Sequence, residues 1–170
     1  MTKASKYLLL MVLLMSFCWM ACEQERPICF QSKDIALHLS TYQATQRDTG
    51  LFIGDSSLPN AVMFALDTSA KVMVNASEPQ KDFNLYLSTN NDSTRFVILP
   101  DSSKYGSRFA YDTVTFYYQR KLQFLSVACG YTYFFSLKSV RSTDNNIDSV
   151  IIIGAEVNNA PNAKHVKVYY

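Results

Sequence analysis

The chain has 170 residues, of which 48% are apolar and 18% charged, and its 16 Lys+Arg and 14 Asp+Glu give a formal net charge of +2. This length fits one domain, and the low charged fraction with 11 Tyr and 11 Phe excludes a disordered chain. Because basic and acidic residues nearly balance, no nucleic-acid partner is expected.

Residues 1–21 have the pattern of a cleaved signal segment. Lys3 and Lys6 supply a positively charged start, and an apolar run from Leu8 to Met20 follows that only Ser16 interrupts. The run is well short of the roughly 20 apolar residues that a membrane-spanning helix needs. A permanent transmembrane helix is therefore the weaker alternative.

The signal segment ends at Ala21-Cys22, where a small residue directly precedes a cysteine. This arrangement resembles the lipobox of bacterial lipoproteins, in which the cysteine is acylated and the chain is cut before it. Cys18 fits this role less well because the bulky Phe17 precedes it. We expect lipidation of Cys22 and a lasting membrane anchor, since two acyl chains already hold a protein stably. Ordinary secretory cleavage after Ala21 is the alternative.

The mature chain then divides into an acidic tether over residues 22–27 and one domain over residues 28–170. Removal of Lys3 and Lys6 leaves 14 basic residues (16 − 2) against 14 acidic ones. The mature chain is therefore formally neutral, and it contains no tryptophan because Trp19 is the only one in the sequence.

Cys29 and Cys129 are the two cysteines that remain after processing. An even number of cysteines in an exported chain indicates a disulfide framework, so we predict that they are bonded. Two buried free thiols, which behave as small apolar side chains, are the alternative.

Apolar residues alternate with other residues along the first half of the domain, whereas no long stretch keeps helical spacing. The residues predicted to face the core of short strands are Ile35, Leu37 and Leu39, then Val62, Phe64 and Leu66, then Val72 and Val74, then Phe83, Leu85 and Leu87, then Phe96 and Ile98.

The second half is more aromatic and predicts five further strands. These strands cover residues 108–120, 122–129, 131–140, 150–157 and 165–170. The unbroken run from Ile151 to Ile153 suits a central strand that is covered on both faces. About ten short strands predict an all-β fold, a single immunoglobulin-like β-sandwich.

No familiar enzyme motif occurs in the sequence, so no catalytic, cofactor or metal site is expected. The two histidines, His38 and His165, are interpreted as solvated or lightly buried strand residues. Asp144, Asn146 and Asp148 have the spacing that opens a calcium loop, but the pattern then fails, and a polar turn is the preferred interpretation.

Two triplets resemble an O-glycosylation site that some gut-type Gram-negative bacteria use on exported proteins. They are Asp112-Thr113-Val114 and Asp148-Ser149-Val150, with Thr113 and Ser149 as the modified residues. Strand starts after a turn account for the same triplets equally well. Asp112 and Asp148 would also be the first suspects in a carboxylate-dependent hydrolase.

Tyrosines are dense enough to form a stacking platform for sugars, although core positions and cross-strand pairs account for most of them. The residues concerned are Tyr105, Tyr111, Tyr117, Tyr118, Tyr131, Tyr133, Tyr169 and Tyr170.

Several segments together resemble a family of small, uncharacterised lipoproteins of gut-type Gram-negative anaerobic bacteria, classed as a domain of unknown function. The segments are Cys22 with Glu23 and Glu25, Cys29, residues 112–116, residues 126–130 and residues 146–150. The resemblance implies an envelope location and a β fold, and it supplies no activity.

The sequence therefore predicts an outer-membrane lipoprotein held through Cys22, with a non-enzymatic domain that serves as an envelope interaction or accessory module. An envelope protein or a glycan is the expected partner. A glycan-binding or carboxylate-dependent hydrolytic surface domain is the alternative.

Overall fold

The computed structural model of the protein describes residues 28–48, 50–66, 72–104, 106, 110–161 and 163–170. The predicted signal segment 1–21, the lipidation site Cys22 and the tether 22–27 lie outside these residues.

The described residues form eleven strands and one short 3₁₀ turn. The strands are β1 (Ala36–Arg47), β2 (Gly50–Asp55), β3 (Val62–Ala65), β4 (Val72–Asn75), β5 (Asp82–Tyr86), β6 (Ser93–Leu99), β7 (Asp112–Ser126), β8 (Gly130–Ser142), β9 (Ser149–Ile152), β10 (Glu156–Val157) and β11 (Val166–Tyr169), and the turn is Ser102–Lys104.

The first sheet is built around β1 and has the order β2-β1-β11-β9, with β5 also paired to β1. Along one edge of β1, β5 covers the first half and β2 the second half, both antiparallel. Along the other edge β11 runs parallel, with Leu39 opposite Val166. The two ends of the domain therefore meet at the centre of this sheet.

The second sheet is antiparallel and has the order β10-β8-β7-β6-β3-β4. Its longest pair, β7 and β8, is a hairpin of 15-residue and 13-residue strands. Gly130 follows the turn with a φ of +70°, a conformation that favours glycine. In the same turn the Cys129 amide donates to the hydroxyl of Ser126.

The core lies between the two sheets and consists of alternating side chains from both. Its largest fully buried members are Phe83, Phe96, Phe116, Leu37, Leu39, Leu58, Met63, Leu85 and Ile98. Each such side chain contributes about 1.5–3 kcal/mol when it leaves water. The all-β sandwich predicted from the sequence is confirmed.

The inward face of β3 is the opposite of the predicted one. Met63 and Ala65 are buried, whereas Phe64 is half-buried and Leu66 is exposed. Met63 and Ala65 pair with Ile98 and Phe96 of β6, which fixes their side chains in the core row. All four residues of β3 are apolar, so the sequence pattern could not distinguish the two faces.

The predicted break between residues 120 and 122 is wrong, because β7 runs through it without interruption. The predicted strand 150–157 is instead two strands, β9 and β10, which belong to different sheets. β9 is an edge strand on which Ile151 is exposed, so the Ile151–Ile153 run is not a covered central strand. The chain changes sheet at Gly154, where a Cβ would lie only 2.8 Å from the Lys164 carbonyl oxygen.

Candidate functional site

Asp112 is a fully buried carboxylate that organises the turn after β8. Its Oδ1 accepts hydrogen bonds from the Thr143 hydroxyl and the Asn145 amide, at 2.7 and 2.8 Å. Its Oδ2 accepts from the backbone amides of Asn146 and Ile147, at 2.7 and 3.2 Å, and from the Asn146 side chain. Both carboxylate oxygens therefore accept hydrogen bonds from residues 143–147. This segment is the polar turn that the sequence pattern favoured over a calcium loop.

Asp148, the other carboxylate of the hydrolytic alternative, is exposed, and its amide donates to the Tyr169 carbonyl. The two predicted modification sites also differ in exposure. Thr113 is half-buried within β7 opposite Val97, whereas Ser149 is exposed at the start of β9.

His38 and His165 form a stacked pair with ring centroids 5.3 Å apart. The His38 amide donates to Nδ1 of His165 at 3.0 Å, and the His165 amide donates to the His38 carbonyl. Nδ1 of His38 lies 2.5 Å from Oδ1 of Asn84. The pair therefore joins β1 to the residue that precedes β11.

The prediction that His165 is solvated or lightly buried is wrong, because only 1% of it is exposed. Burial, followed by the charge of His38, lowers the pKa of His165, and the backbone of Glu156 opposes this shift in part. Val166 and Val168, which follow it on β11, are also buried, so the ring lies inside the sandwich. The pair is thus a structural link between strands.

The predicted disulfide between Cys29 and Cys129 is confirmed, with Cα atoms 4.8 Å apart. It joins the segment before β1 to the turn of the β7–β8 hairpin, 100 residues later. The Thr132 hydroxyl adds a second link, since it donates to the Lys33 carbonyl at 2.8 Å. The start of the domain is therefore fixed to the hairpin at two points.

Residues 119–134 of β7 and β8, here called the projecting hairpin, extend past the end of the sandwich. β6 pairs with β7 only as far as Tyr117, and β10 pairs with β8 only at Phe135 and Ser136. Arg120 secures the base of the hairpin through an ion pair with Asp92 at 2.9 Å. The strands therefore continue as a two-stranded ribbon beyond this point.

One face of the projecting hairpin continues the core row into solvent. At its base Tyr118 and Phe135 are buried and in edge contact, with ring centroids 5.3 Å apart. Further out, Phe124 contacts Tyr131 in the same row. The exposed large apolar side chains at this end are Leu122 (57%), Phe124 (48%), Val127 (88%) and Tyr131 (63%), together with Ile28 (73%) and Phe30 (91%) beside the disulfide. We call these six residues the apolar end.

A groove of about 320 Å³ separates the projecting hairpin from the segment before β1. Tyr131 and Tyr133, both in the predicted tyrosine platform, line it with Tyr86, which the sequence reasoning missed. Tyr86 sits at the end of β5, so only its place in the sheet brings it to the hairpin. Of the other platform residues, Tyr118 is buried and Tyr105 lies outside the described residues.

Fold and site together define a small, disulfide-bonded β-sandwich with a projecting apolar hairpin. The chain belongs to a family of unknown function (DUF6452), whose sequence profile matches residues 61–170. The expected membership of a family without assigned activity is thus confirmed. No curated protein and no solved structure matches the chain.

Within the described ranges, no helix is long and apolar enough to cross a membrane. In the same ranges no group of three or more His, Cys, Asp or Glu side chains could hold a metal ion.

Proposed function

We propose that the protein is a lipoprotein of the bacterial cell envelope, anchored to the outer membrane by acyl chains on Cys22. The main support for this proposal is which cysteines are bonded to each other and which remain for acylation. The Cys29–Cys129 bond takes two of the four cysteines, and of the other two only Cys22 follows a small residue. Disulfides persist in oxidising compartments outside the cytoplasm, which supports export.

The β-sandwich acts in this proposal as a non-enzymatic interaction or accessory module. A catalytic acid or base must come within hydrogen-bond reach of its substrate. Asp112 is fully buried and hydrogen-bonded to the 143–147 turn, and His165 is buried between strands. Both groups therefore have structural roles in this proposal, and the exposed apolar end and the tyrosine-lined groove are the surfaces proposed for partners.

Expression of the full chain in a Gram-negative host tests the anchor. The wild-type protein should incorporate labelled palmitate, fractionate with outer membranes and have the mass of a triacylated chain that begins at Cys22. Cys22→Ala should lose the label and leave the membrane fraction, whereas the matched control Cys18→Ala should behave as wild type. A Cys22→Ala protein that keeps the label would refute the proposal.

The same intact mass tests the proposed O-glycosylation of Thr113 and Ser149. Sugar-sized increments that disappear in Thr113→Ala or Ser149→Ala would support modification at that residue. An unmodified polypeptide mass from a host that glycosylates exported proteins would exclude it.

Glycan binding is a second candidate, favoured by the groove that Tyr86, Tyr131 and Tyr133 line. Aromatic faces pack on sugar rings, and the groove also contains the polar residues Lys33 and Thr132. An array of immobilised glycans tests this candidate. Any specific signal should fall in Tyr86→Ala and persist in Tyr111→Ala, because Tyr111 is equally exposed but does not line the groove.

A further inference from the structure

We propose that the apolar end lies on the surface of the same membrane that holds Cys22, with its side chains at the boundary between headgroups and acyl chains. The proposal rests on the lipidation of Cys22. It makes the projecting hairpin a second, non-covalent contact with the lipid, which sets how the sandwich stands on the membrane.

The length of chain between the anchor and the disulfide limits where the hairpin can be. Cys29 follows Cys22 by seven positions, and an extended chain of that length spans at most about 25 Å. Cys129, in the turn of the hairpin, has its Cα only 4.8 Å from that of Cys29. The hairpin tip is therefore held close to the membrane.

The opposite end of the sandwich is much farther from the anchor. Phe52 on β2 pairs with Thr45, nine residues along β1 from Ala36, a distance of about 30 Å at the rise of a strand. Ala36 itself lies near the hairpin, because the neighbouring Lys33 is bonded to Thr132. Exposed apolar residues lie at both ends, since Leu51 (65%), Phe52 (47%) and Ile53 (52%) are exposed on β2, but the hairpin end is the one that the anchor holds at the membrane.

The chemistry of the hairpin suits a phospholipid surface. Apolar and aromatic side chains such as Leu122, Phe124 and Tyr131 favour the interfacial region, where tyrosine can keep its hydroxyl among the headgroups. The projecting hairpin contains two basic residues, Arg120 and Lys121, and no acidic one, and Arg120 is ion-paired with Asp92. Lys121 lies next to Leu122 and is exposed, so it can contact anionic headgroups.

The absence of tryptophan from the mature chain allows a clean test, since Trp19 is removed with the signal segment. Phe124→Trp places a single tryptophan at the apolar end, and Phe52→Trp places one at the far end. The two phenylalanines are equally exposed, at 48% and 47%, so they form a matched pair. Val127→Trp in the hairpin turn provides a second, independent probe.

Each lipidated variant is purified from membranes and reconstituted in vesicles of phosphatidylethanolamine and phosphatidylglycerol that contain brominated phosphatidylcholine. Bromine quenches tryptophan by contact, and interfacial side chains reach about 5–10 Å into this boundary. We expect emission from Phe124→Trp and Val127→Trp to shift to the blue and to fall at least about twofold, while Phe52→Trp stays unquenched.

Equal quenching of the hairpin and far-end probes, or none at the hairpin, would overturn the proposal while leaving the lipid anchor intact. A blue shift without vesicles that grows with protein concentration would also overturn it, because a second copy would then cover the apolar end. An intact mass without acyl chains on Cys22 would instead refute the proposed function and this inference together.

Discussion

Replacement of Asp112 by asparagine keeps the shape of the side chain but turns one carboxylate oxygen into a donor. The side-chain nitrogen of the new asparagine would meet the fewest donors in the place of Oδ1. There the Thr143 hydroxyl, which now donates, can rotate and accept a hydrogen bond from it. The Asn145 amide, 2.8 Å away, would then face another donor. If the side-chain nitrogen of the new asparagine instead took the place of Oδ2, it would face the backbone amides of both Asn146 and Ile147. The first orientation is therefore the less costly one.

The cost follows from the bonds that this orientation loses. The part-buried N–H of Asn145 left without its acceptor costs up to about 3 kcal/mol, and the remaining hydrogen bonds lose the strength that a charged acceptor gives them. Asp112→Asn should therefore lower the free energy of unfolding by about 2–4 kcal/mol. The Asn145 amide should also exchange faster with solvent, because it loses its acceptor.

Equilibrium unfolding in guanidinium chloride measures the loss as a lower midpoint with an unchanged slope. Asp148→Asn is the matched control, since Asp148 is exposed in the same region, and it should change stability by no more than about 0.5 kcal/mol. If the two variants unfold at the same denaturant concentration, the reasoning about the buried carboxylate is refuted.

Three further substitutions test other links of the fold. Cys29→Ser/Cys129→Ser opens a loop with a sequence separation of 100 and should lower the unfolding free energy by up to about 4.7 kcal/mol in the chain-entropy model; denaturant midpoints measure this, and an unchanged midpoint would contradict it. Burial lowers the pKa of His165 below its usual 6.5, so the unfolded chain binds the extra proton as pH falls below that value. Stability should then drop by up to about 1.4 kcal/mol per pH unit until the folded pKa is reached. His165→Asn should flatten this dependence in melts between about pH 7.5 and 4.5. Tyr118→Phe removes a hydroxyl 2.6 Å from that of Thr94 and should destabilise by about 1–2 kcal/mol in the same denaturant assay, whereas no change would mean that the buried pair contributes nothing.

Apolar periodicity predicted the strands well where only one face is apolar. In β5, Phe83 and Leu85 alternate with exposed residues and are buried as expected. In β3 both faces are apolar, so period-two patterning carries no information about which face is inward. Only the register against β6 decides it, and register is a property of the assembled sheet.

The role of Asp112 could not be predicted because its partners are more than 30 residues away in sequence. The polar run around Asn146 was recognisable as a turn, but the carboxylate inside that turn comes from another strand. His165 illustrates the same limit, since its burial depends on the parallel pairing of β11 with β1. Local pattern shows that a polar residue is present, and only topology shows what it contacts.

The disulfide fixes the tip of the projecting hairpin to the start of the domain, which the number of cysteines alone could not predict. Arg120 and Lys121 look like a strand break in the sequence, yet they are compatible with β7 because Lys121 is exposed and the half-buried Arg120 is ion-paired with Asp92. The length of the hairpin, rather than its apolar content, is thus what carries Phe124 past the core. Cys129 then fixes that tip to the start of the domain. Loss of the bond should therefore act in two separable ways, on global stability through loop closure and on the orientation of the hairpin relative to the tether.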